Sequence, residues 1–508
     1  MERTWRIGLL PYFRSLRIIM NDLLARPTQT MRLFFRLCRA SGGSIVLLFI
    51  LPSLLQAAPQ SGTPRTRTFT LQEAVDYALT NYPAVKAALE GYTAARAGVG
   101  VAAAAYLPRV DAVWQGDRGT RNSVLGVLMP QSPNILTGTQ GTVLPPSNRP
   151  FWTSGGGFLF SWEPFDFGYR QSEVGAARLT ATRTAAQITL TRLGVAAAVA
   201  EASLAVLAEE QRVKAAQADV DRRAVFAKSV HALVDAHLRP GAEASRADAE
   251  LAAATTGLYL AQESQQVASA ALGELLGLSG AQVEIAPGPY LEIPSEAALP
   301  QASLVSHPAA VVEQDRMGEV EGRLRVLDHA YYPHFTLEAL GSARGSGQNS
   351  KGAIAPGWNG LGADIHNWEA GLTVSLPLLD LASLRGQKKV EEANRRRQKA
   401  LYDQTMQNLG GQLAKAEAAL AGARRVAQNT PIQLQASRDS EAQARARFQA
   451  GLGTIVDVAE AQRLLVQAET DDSLARLAVW RALADLATAQ GDLRPFFNLA
   501  QNLSKGVP

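Results

Sequence analysis

Two long tracts of the chain carry the hydrophobic periodicity of an α-helix, and each is followed by a shorter helical segment after a break. The tracts run from Tyr169 to about Ala236 and from about Ser383 to Ala450, with Pro431 as their single proline. About 65 residues at a rise of 1.5 Å per residue give a helix of about 100 Å. Return helices are predicted over Ala244 to Leu276 and Thr454 to Ala489. Each tract is therefore expected to form an antiparallel hairpin.

The last return helix has the seam of a coiled coil. Its larger residues recur every seven positions with one polar exception, and alanines form a companion row that lets helices approach closely. The first row comprises Val458, Leu465, Asp472, Val479 and Leu486, and the second comprises Ala461, Ala468, Ala475, Ala482 and Ala489.

Four other segments alternate apolar and polar residues with a period of two, which predicts strands with one apolar and one polar face. They are centred on Val110 to Trp114, Phe158 to Trp162, Phe335 to Ala339 and Trp368 to Leu378. Four strands of about 10 residues with weak alternation are typical of a membrane barrel. Two hairpins of a soluble sheet are the alternative that this pattern allows. Polar loops are expected between the strands, over 118–153 and 343–366.

The same unit occurs twice in the chain. The spacing from Pro83 to Pro108 equals the spacing from Pro308 to Pro333. Asp166 finds its counterpart in Asp380 at a smaller offset, which places a length difference between the second proline and the aspartate. We predict a signal peptide with an N-terminal extension at 1–57, a first repeat at 58–290, a second repeat at 291–492 and a C-terminal tail at 493–508.

The segment 1–57 is interpreted as a secretory leader. The apolar run Ile45 to Leu55 is too short to cross a bilayer comfortably, follows several arginines and precedes Ala57 and Ala58, where cleavage is expected. An uncleaved anchor helix is the alternative, and Met31 would give a more ordinary start.

Removing the leader changes the electrostatics of the chain. The leader holds eight Arg but only Glu2 and Asp22, so taking it from the 50 basic and 46 acidic residues leaves a net charge of −2. A nucleic-acid partner thereby loses its main support. Cys38, the only cysteine, also lies in the leader, so no disulfide, thiol or cysteine-based metal site is expected in the mature chain.

The break between the second tract and its return helix is interpreted as the tip of a hairpin. Gly451 and Gly453 can adopt backbone angles that other residues avoid, and Thr454 is a candidate N-cap. Asp457 and Glu460 fall in the first two turns of the helix that follows.

A weaker copy of this tip lies at Leu238 to Glu250, where Gly241 and Glu250 keep the nine-residue spacing of Gly451 and Glu460. This alignment predicts that the carboxylates are concentrated at the second tip and that the two tips of one chain differ.

The order of these features, repeated twice, resembles the outer membrane efflux protein family, the TolC-like channels. The resemblance covers about residues 69 to 491, and Gly451 to Val458 is its most specific part. The other matching motifs are Thr70-Leu71-Gln72-Glu73-Ala74, Asn81-Tyr82-Pro83, Tyr106-Leu107-Pro108 and Phe165 to Arg170.

The resemblance implies a mainly α fold with a small β part. Long antiparallel coiled-coil helices would form a periplasmic tunnel, and four strands per chain would contribute to a 12-stranded barrel in the outer membrane, closed by a homotrimer. The implied function is passive export in a tripartite efflux or type I secretion system. Its partners would be a periplasmic adaptor protein, an inner-membrane pump and outer membrane lipid.

The resemblance also implies that Asp457 and Glu460 line the periplasmic entrance. Three chains would bring six carboxylates around one axis, which favours cations and makes each carboxylate harder to ionise. The alternative is that both residues merely suit a helix N-terminus, where negative charge is favourable.

An enzyme interpretation finds little support. The six histidines are dispersed, and His231 and His237 are six positions apart, so they would point to different sides of one helix. No cofactor is expected. A structural coiled-coil protein of the periplasm or cell surface, without transport activity, is the alternative to a channel.

Overall fold

The computed structural model describes residues 67–121, 147–294, 303–349, 351–376 and 378–505. The predicted signal peptide and its cleavage site lie outside the described residues. The first repeat begins with the short strand β1 and contains the following elements: β1 (Arg67–Phe69), α1 (Leu71–Asn81), α2 (Pro83–Ala104), β2 (Arg109–Arg121), β3 (Ser147–Phe165), α3 (Tyr169–Asp235), α4 (Gly241–Leu276) and β4 (Val283–Ile285).

The second repeat follows after two short 3₁₀ segments, Gly288–Leu291 and Leu304–Ser306. Its elements are α5 (Pro308–His329), β5 (His334–Ser346), β6 (Ile365–Ser375), α6 (Leu381–Gln449) and α7 (Ile455–Gln490), and α8 (Arg494–Lys505) ends the described chain. The long helices and their return helices are confirmed within three residues of the predicted bounds.

The two repeats correspond element by element, with a change of offset between them. α2 and α5 both have 22 residues and begin at Pro83 and Pro308. α4 and α7 both have 36 residues and begin at Gly241 and Ile455, which is a smaller offset. The length difference therefore falls after the start of β2 and of β5 and before the long helices α3 and α6, as predicted.

The four longer strands form one antiparallel sheet in the order β2-β3-β5-β6. Cross-strand pairs such as Val110 with Phe160 and Leu337 with Leu372 place most of the large apolar residues of the four strands on one face, called here the apolar face. Its members are Val110, Ala112, Trp114, Phe158, Phe160, Trp162, Phe335, Leu337, Ala339, Trp368, Ala370, Leu372 and Val374. The opposite face carries polar and charged residues, among them Asp111, Gln115, Ser161, Thr336, Glu338, Arg344, Glu369 and Thr373.

The strands are longer than the expected length of about 10 residues. β2, β3, β5 and β6 have 13, 19, 13 and 11 residues. The outer part of these strands is rich in Gly, Ser and Thr, which gives no alternating signal, so the periodicity alone predicts loop there. The central part of the predicted loop 118–153 lies outside the described residues.

The passage from strand to helix in the first repeat is fixed by Asp166. Its carboxylate accepts hydrogen bonds from the backbone N–H groups of Gly168, at 3.1 Å, and Arg170, at 2.8 Å. The Arg170 side chain donates to the same carboxylate at 2.6 Å and to the carbonyl of Ala105 at 3.1 Å. Both charged side chains are buried, so this ion pair ties the start of α3 to the end of α2.

The main core lies where helices of both repeats pack against the short strands β1 and β4 and against α8. Trp480 and Phe496 are fully buried and lie edge to face at 5.8 Å, and Tyr290 packs against both. Burial raises the pKa of Tyr290 to about 12. Phe496 belongs to α8. The segment predicted as a C-terminal tail therefore contains a helix, which packs on the core through the buried Phe496 ring.

The predicted seam of α7 is confirmed, since all ten residues of its two rows are buried. The polar exception, Asp472, is held in place by neighbours: it accepts a hydrogen bond from Thr430 of α6 at 3.1 Å and pairs with Arg476 at 2.9 Å. A buried carboxylate is tolerated in the seam because both of its oxygens have partners.

Candidate functional site at the hairpin tips

The second tip ends α6 with two hydrogen bonds of a Schellman motif. The N–H of Gly451 donates to the carbonyl of Phe448 at 3.0 Å, and the N–H of Leu452 donates to the carbonyl of Arg447 at 2.8 Å. Gly451 has φ +75°, a left-handed conformation that glycine adopts without steric cost. Gly453 is favoured for a different reason, because a Cβ there would make a tight contact of 3.2 Å with the backbone nitrogen of Phe448.

Asp457 forms a capping box with Thr454 at the start of α7. Its Oδ2 accepts a hydrogen bond from the Thr454 N–H at 2.9 Å, and its own N–H donates to the Thr454 hydroxyl at 3.3 Å. These hydrogen bonds lower the pKa of Asp457, because the ionised form accepts them best. Asp457 therefore acts as a helix cap within one chain.

Glu460 lies one turn further and forms an ion pair with Arg463 at 2.6 Å. Both side chains are largely exposed, at 56% and 61%. The hydrogen bond from Arg463 lowers the pKa of Glu460. Contacts within one chain thus favour the ionised form of both carboxylates. A raised pKa, as expected from six carboxylates around one axis, would require the carboxylates of neighbouring chains.

The first tip has the same Schellman geometry with histidine in place of glycine. The N–H of His237 donates to the carbonyl of Val234 at 2.9 Å, and the N–H of Leu238 donates to that of Leu233, also at 2.9 Å. His237 has φ +58° and is therefore the counterpart of Gly451.

The predicted pairing of Gly241 with Gly451 is wrong by one helical turn. Gly241 is the first residue of α4 and corresponds to Ile455 of α7. The alignment failed because it matched glycine to glycine, whereas the left-handed position of the first tip is occupied by His237.

The corrected alignment changes the charge pattern of the tips. Glu243 of α4 takes the place of Asp457, and Arg246 takes the place of Glu460. Each tip therefore has a carboxylate in its first turn, and the tips differ in the next turn, where one has a cation and the other an anion. The prediction that carboxylates are concentrated at the second tip is corrected accordingly.

Arg239 of the first tip makes a contact with the second tip that sequence reasoning missed. Its guanidinium lies 4.7 Å from the centroid of the Phe448 ring and donates a hydrogen bond to the Phe448 carbonyl at 3.2 Å. Glu243 lies 3.6 Å from the same guanidinium. Arg239 thus caps the negative end of α6 from another hairpin; these contacts are called the Arg239 contact below.

Two further features join the hairpins above the tips. Phe448 is buried in a small apolar cluster and lies 5.2 Å from Phe226 of α3. Arg222 of α3 forms an ion pair with Glu469 of α7 at 2.8 Å. Because about 13 residues separate Arg222 from the end of α3, this pair lies about 20 Å above the tip.

Comparisons with known proteins agree with this architecture. The sequence matches the family model described as outer membrane efflux protein over residues 74–278 and 299–492. Protein CyaE of Bordetella pertussis is 26% identical over 461 residues, which cover 85% of this chain and 88% of CyaE.

Two solved structures share the fold. The CmeC outer membrane channel of Campylobacter jejuni has a TM-score of 0.67 at 16% identity and covers 86% of this chain and 90% of its own. The open state of the MtrE outer membrane channel of Neisseria gonorrhoeae has a TM-score of 0.64 at 20% identity and covers 83% of this chain and 89% of its own. The fold is therefore that of the TolC-like channels, whose strands lie in the outer membrane and whose helices lie in the periplasm. The chain belongs to the outer membrane efflux protein family.

Proposed function

We propose that this protein is the outer membrane component of a tripartite efflux or type I secretion system and acts as a passive export conduit. Three chains would contribute four strands each to a 12-stranded barrel, and the helices would continue it as a tunnel. A periplasmic adaptor protein and an inner-membrane pump would complete the system, with the pump supplying the energy.

The observation that carries this proposal is the four-stranded sheet. Its apolar face extends across all four strands, and its opposite face is mainly polar, with Val113, Leu159, Leu340 and Ile365 as exceptions. This is the pattern of a barrel wall between lipid and an aqueous lumen. Among the described residues, β2 and β6 have no neighbour on their outer edges. Unpaired edges are costly within lipid, so closure by further copies of the chain accounts for the sheet as it stands.

We further propose that the hairpin tips form the gate. The Arg239 contact joins the two hairpins of one chain at the tip, and Asp457 and Glu460 add fixed negative charge close by. Opening would require the second hairpin to move away from the first, which breaks the contact between Arg239 and Phe448 while the longer α3–α7 packing above it remains.

The channel and the structural coiled-coil alternative are separated by cell fractionation and heat-modified mobility on a denaturing gel. A channel is expected in the outer membrane fraction and runs as an oligomer until it is heated. Recovery of the whole protein from the soluble periplasm, with no heat-dependent band, would rule out the conduit.

The role of the tip carboxylates is tested by the double variant Asp457→Asn with Glu460→Gln. Asparagine keeps an oxygen for the Thr454 cap, so the variant removes charge with little change at the helix start. Planar-bilayer recordings are expected to show lower cation selectivity and weaker block by multivalent cations.

The matched control for this variant removes two carboxylates far from the tip. Asp403 and Glu417 are exposed on α6, and Asp403→Asn with Glu417→Gln should leave selectivity and block unchanged. If the tip variant behaves like this control, Asp457 and Glu460 do not contribute to the entrance.

A further inference from the structure

The outer end of the apolar face is covered by a folded part of the β5–β6 connection. Residues 358–362 lie against this face, and several glycines make the close approach possible. A Cβ at Gly345 or Gly360 would collide with backbone atoms of Gly362 or Trp152. The backbone also joins the connection to the sheet, since Gly347 donates to the Trp152 carbonyl and Ala355 donates to the Gly347 carbonyl, both at 2.8 Å.

This packing presents one cation and two tryptophans together at the surface. The Trp358 ring stacks on Trp152 with centroids 5.3 Å apart and 18° between the planes. The Arg118 guanidinium lies 5.6 Å from the centroid of the Trp152 ring. Trp358 is 73% exposed, so one face of its ring is open to a ligand. Arg118, Trp152 and Trp358 are called the outer aromatic cluster.

Arg118 has no carboxylate partner in the part of the chain that the structure describes. It belongs to the apolar face, because Arg118 pairs with Trp152 across β2 and β3 in the register that pairs Val110 with Phe160. A cation at the end of a lipid-facing surface, with no carboxylate partner among the described residues, is suited to an anionic lipid headgroup.

The height of the cluster places it at the outer leaflet. Trp152 is separated from Phe165, the end of β3 nearest the helices, by about 13 residues, or about 43 Å along a strand. With a strand tilt of about 35–45° the vertical distance is about 30–35 Å. Phe165, Phe167, Tyr332 and Phe335 form an aromatic cluster at the inner end. The apolar face is therefore bounded by aromatic groups at a separation close to the thickness of the hydrocarbon core.

We infer that the outer aromatic cluster binds the phosphorylated sugar headgroup of an outer-leaflet glycolipid, the lipid A part of lipopolysaccharide. The Arg118 guanidinium is suited to a phosphate, which it can contact through two N–H groups. The open face of Trp358 is suited to a sugar ring, whose C–H groups carry partial positive charge and match the negative face of the indole. The acyl chains would then run along the apolar face below the cluster.

Binding is tested with the purified full-length protein in detergent, using native mass spectrometry with bisphosphorylated lipid A and with its dephosphorylated form. Arg118→Gln and Trp358→Ala are each expected to weaken binding of bisphosphorylated lipid A about tenfold, the effect of losing one interaction with a charged or stacked group. Phosphate removal from the lipid should weaken binding to the unaltered protein and have no further effect on Arg118→Gln.

Two variants serve as matched controls. Arg344→Gln removes a cation at a similar height from the opposite, polar face. Tyr259→Ala removes an aromatic side chain that is 64% exposed on α4, away from the sheet. Neither should change lipid A binding by more than about twofold, a fifth of the effect expected at the cluster.

Three results would overturn the inference. They are unchanged binding in Arg118→Gln and Trp358→Ala, equal binding of dephosphorylated lipid A, and equal competition by phosphatidylglycerol, which would show recognition of phosphate without the sugar. Heat-modified mobility verifies that each variant is folded. Should Arg118→Gln fail that check, Trp358→Ala and Arg118→Lys, which keeps the charge but loses the planar group, decide the question.

Discussion

Equivalent positions in the two hairpin tips are occupied by His237 and Gly451. Both have a left-handed backbone and both donate to a carbonyl of the preceding helix. A residue with a Cβ has a steric cost in this conformation that is absent for glycine. The first tip is therefore built with strain that the second tip lacks.

Replacing His237 by Gly is expected to stabilise the first tip by about 1 kcal/mol, because the substitution removes this steric cost. The reciprocal change, Gly451→Ala, should destabilise the second tip by a similar amount. Hydrogen exchange of the last turn of α3 and of α6 measures each effect locally. Slower exchange in Gly451→Ala, or faster exchange in His237→Gly, would contradict the assignment of equivalent positions.

His307 provides a prediction about pH. Its Nδ1 accepts a hydrogen bond from the N–H of Ala309 at 3.1 Å, and its Nε2 lies 3.3 Å from the carbonyl of Thr488, to which it donates. The imidazole is therefore neutral, and burial lowers its pKa, although the Thr488 hydrogen bond acts in the opposite direction.

Because the pKa of His307 is lower in the folded protein than in the unfolded chain, its contribution to stability is complete above about pH 6.5 and is lost as the pH falls through the folded value. Melting temperature should fall between pH 7.5 and 5 by more in the unaltered protein than in His307→Gln. An imidazole NMR titration checks the cause directly, and a midpoint at or above 6.5 would refute it.

At the scale of whole elements, the two hairpins are joined by α3 and α7 along their length and by the Arg239 contact at the tip. Arg239 belongs to the α3–α4 connection and caps α6, whose last carbonyls carry partial negative charge. This arrangement makes the end of α6 depend on a residue of the other repeat.

Arg239→Gln is expected to speed amide exchange at the ends of both α3 and α6, because the stacking on Phe448 and the hydrogen bond to its carbonyl are both lost. Arg246→Gln is the matched control, since Arg246 is exposed on the same tip and has the same charge. Equal exchange in the two variants would show that Arg239 does not hold the hairpins together.

Element positions could largely be predicted from the sequence, and side-chain contacts between elements could not. Helical periodicity located α3, α4, α6 and α7 because each is long and has few prolines or glycines. The periodicity did not predict the outer parts of the strands, because their apolar-face positions include Gly116, Ser154 and Gly345, which give no alternating signal.

The tips show the same limit in more detail. The composition of the second tip indicated a turn at Gly451 and Gly453, and the structure confirms it. The first tip offered a misleading glycine, since Gly241 begins a helix while His237 makes the turn. The Arg239 contact could not be foreseen, because a single arginine in a short connection meets the distant Phe448 of the other repeat only in the folded chain.

At the scale of the whole molecule, one chain is an incomplete wall. Its sheet has an apolar and a polar face but two unpaired edges among the described residues, and its hairpins present their tips together at the far end of the helices. Closure by copies of the same chain would join the sheets into a barrel in the outer membrane and bring the helix tips together as its entrance.

The most direct test of this account is a planar-bilayer recording of ion current through the purified, heat-modifiable oligomer. The account predicts small discrete conductance steps for the unaltered protein, larger steps for Arg239→Gln, whose tips are released, and unchanged steps for Arg425→Gln, which removes an exposed cation of α6 distant from the tip. An absence of steps in all three proteins would contradict the channel, and equal steps in all three would contradict a gate at the hairpin tips.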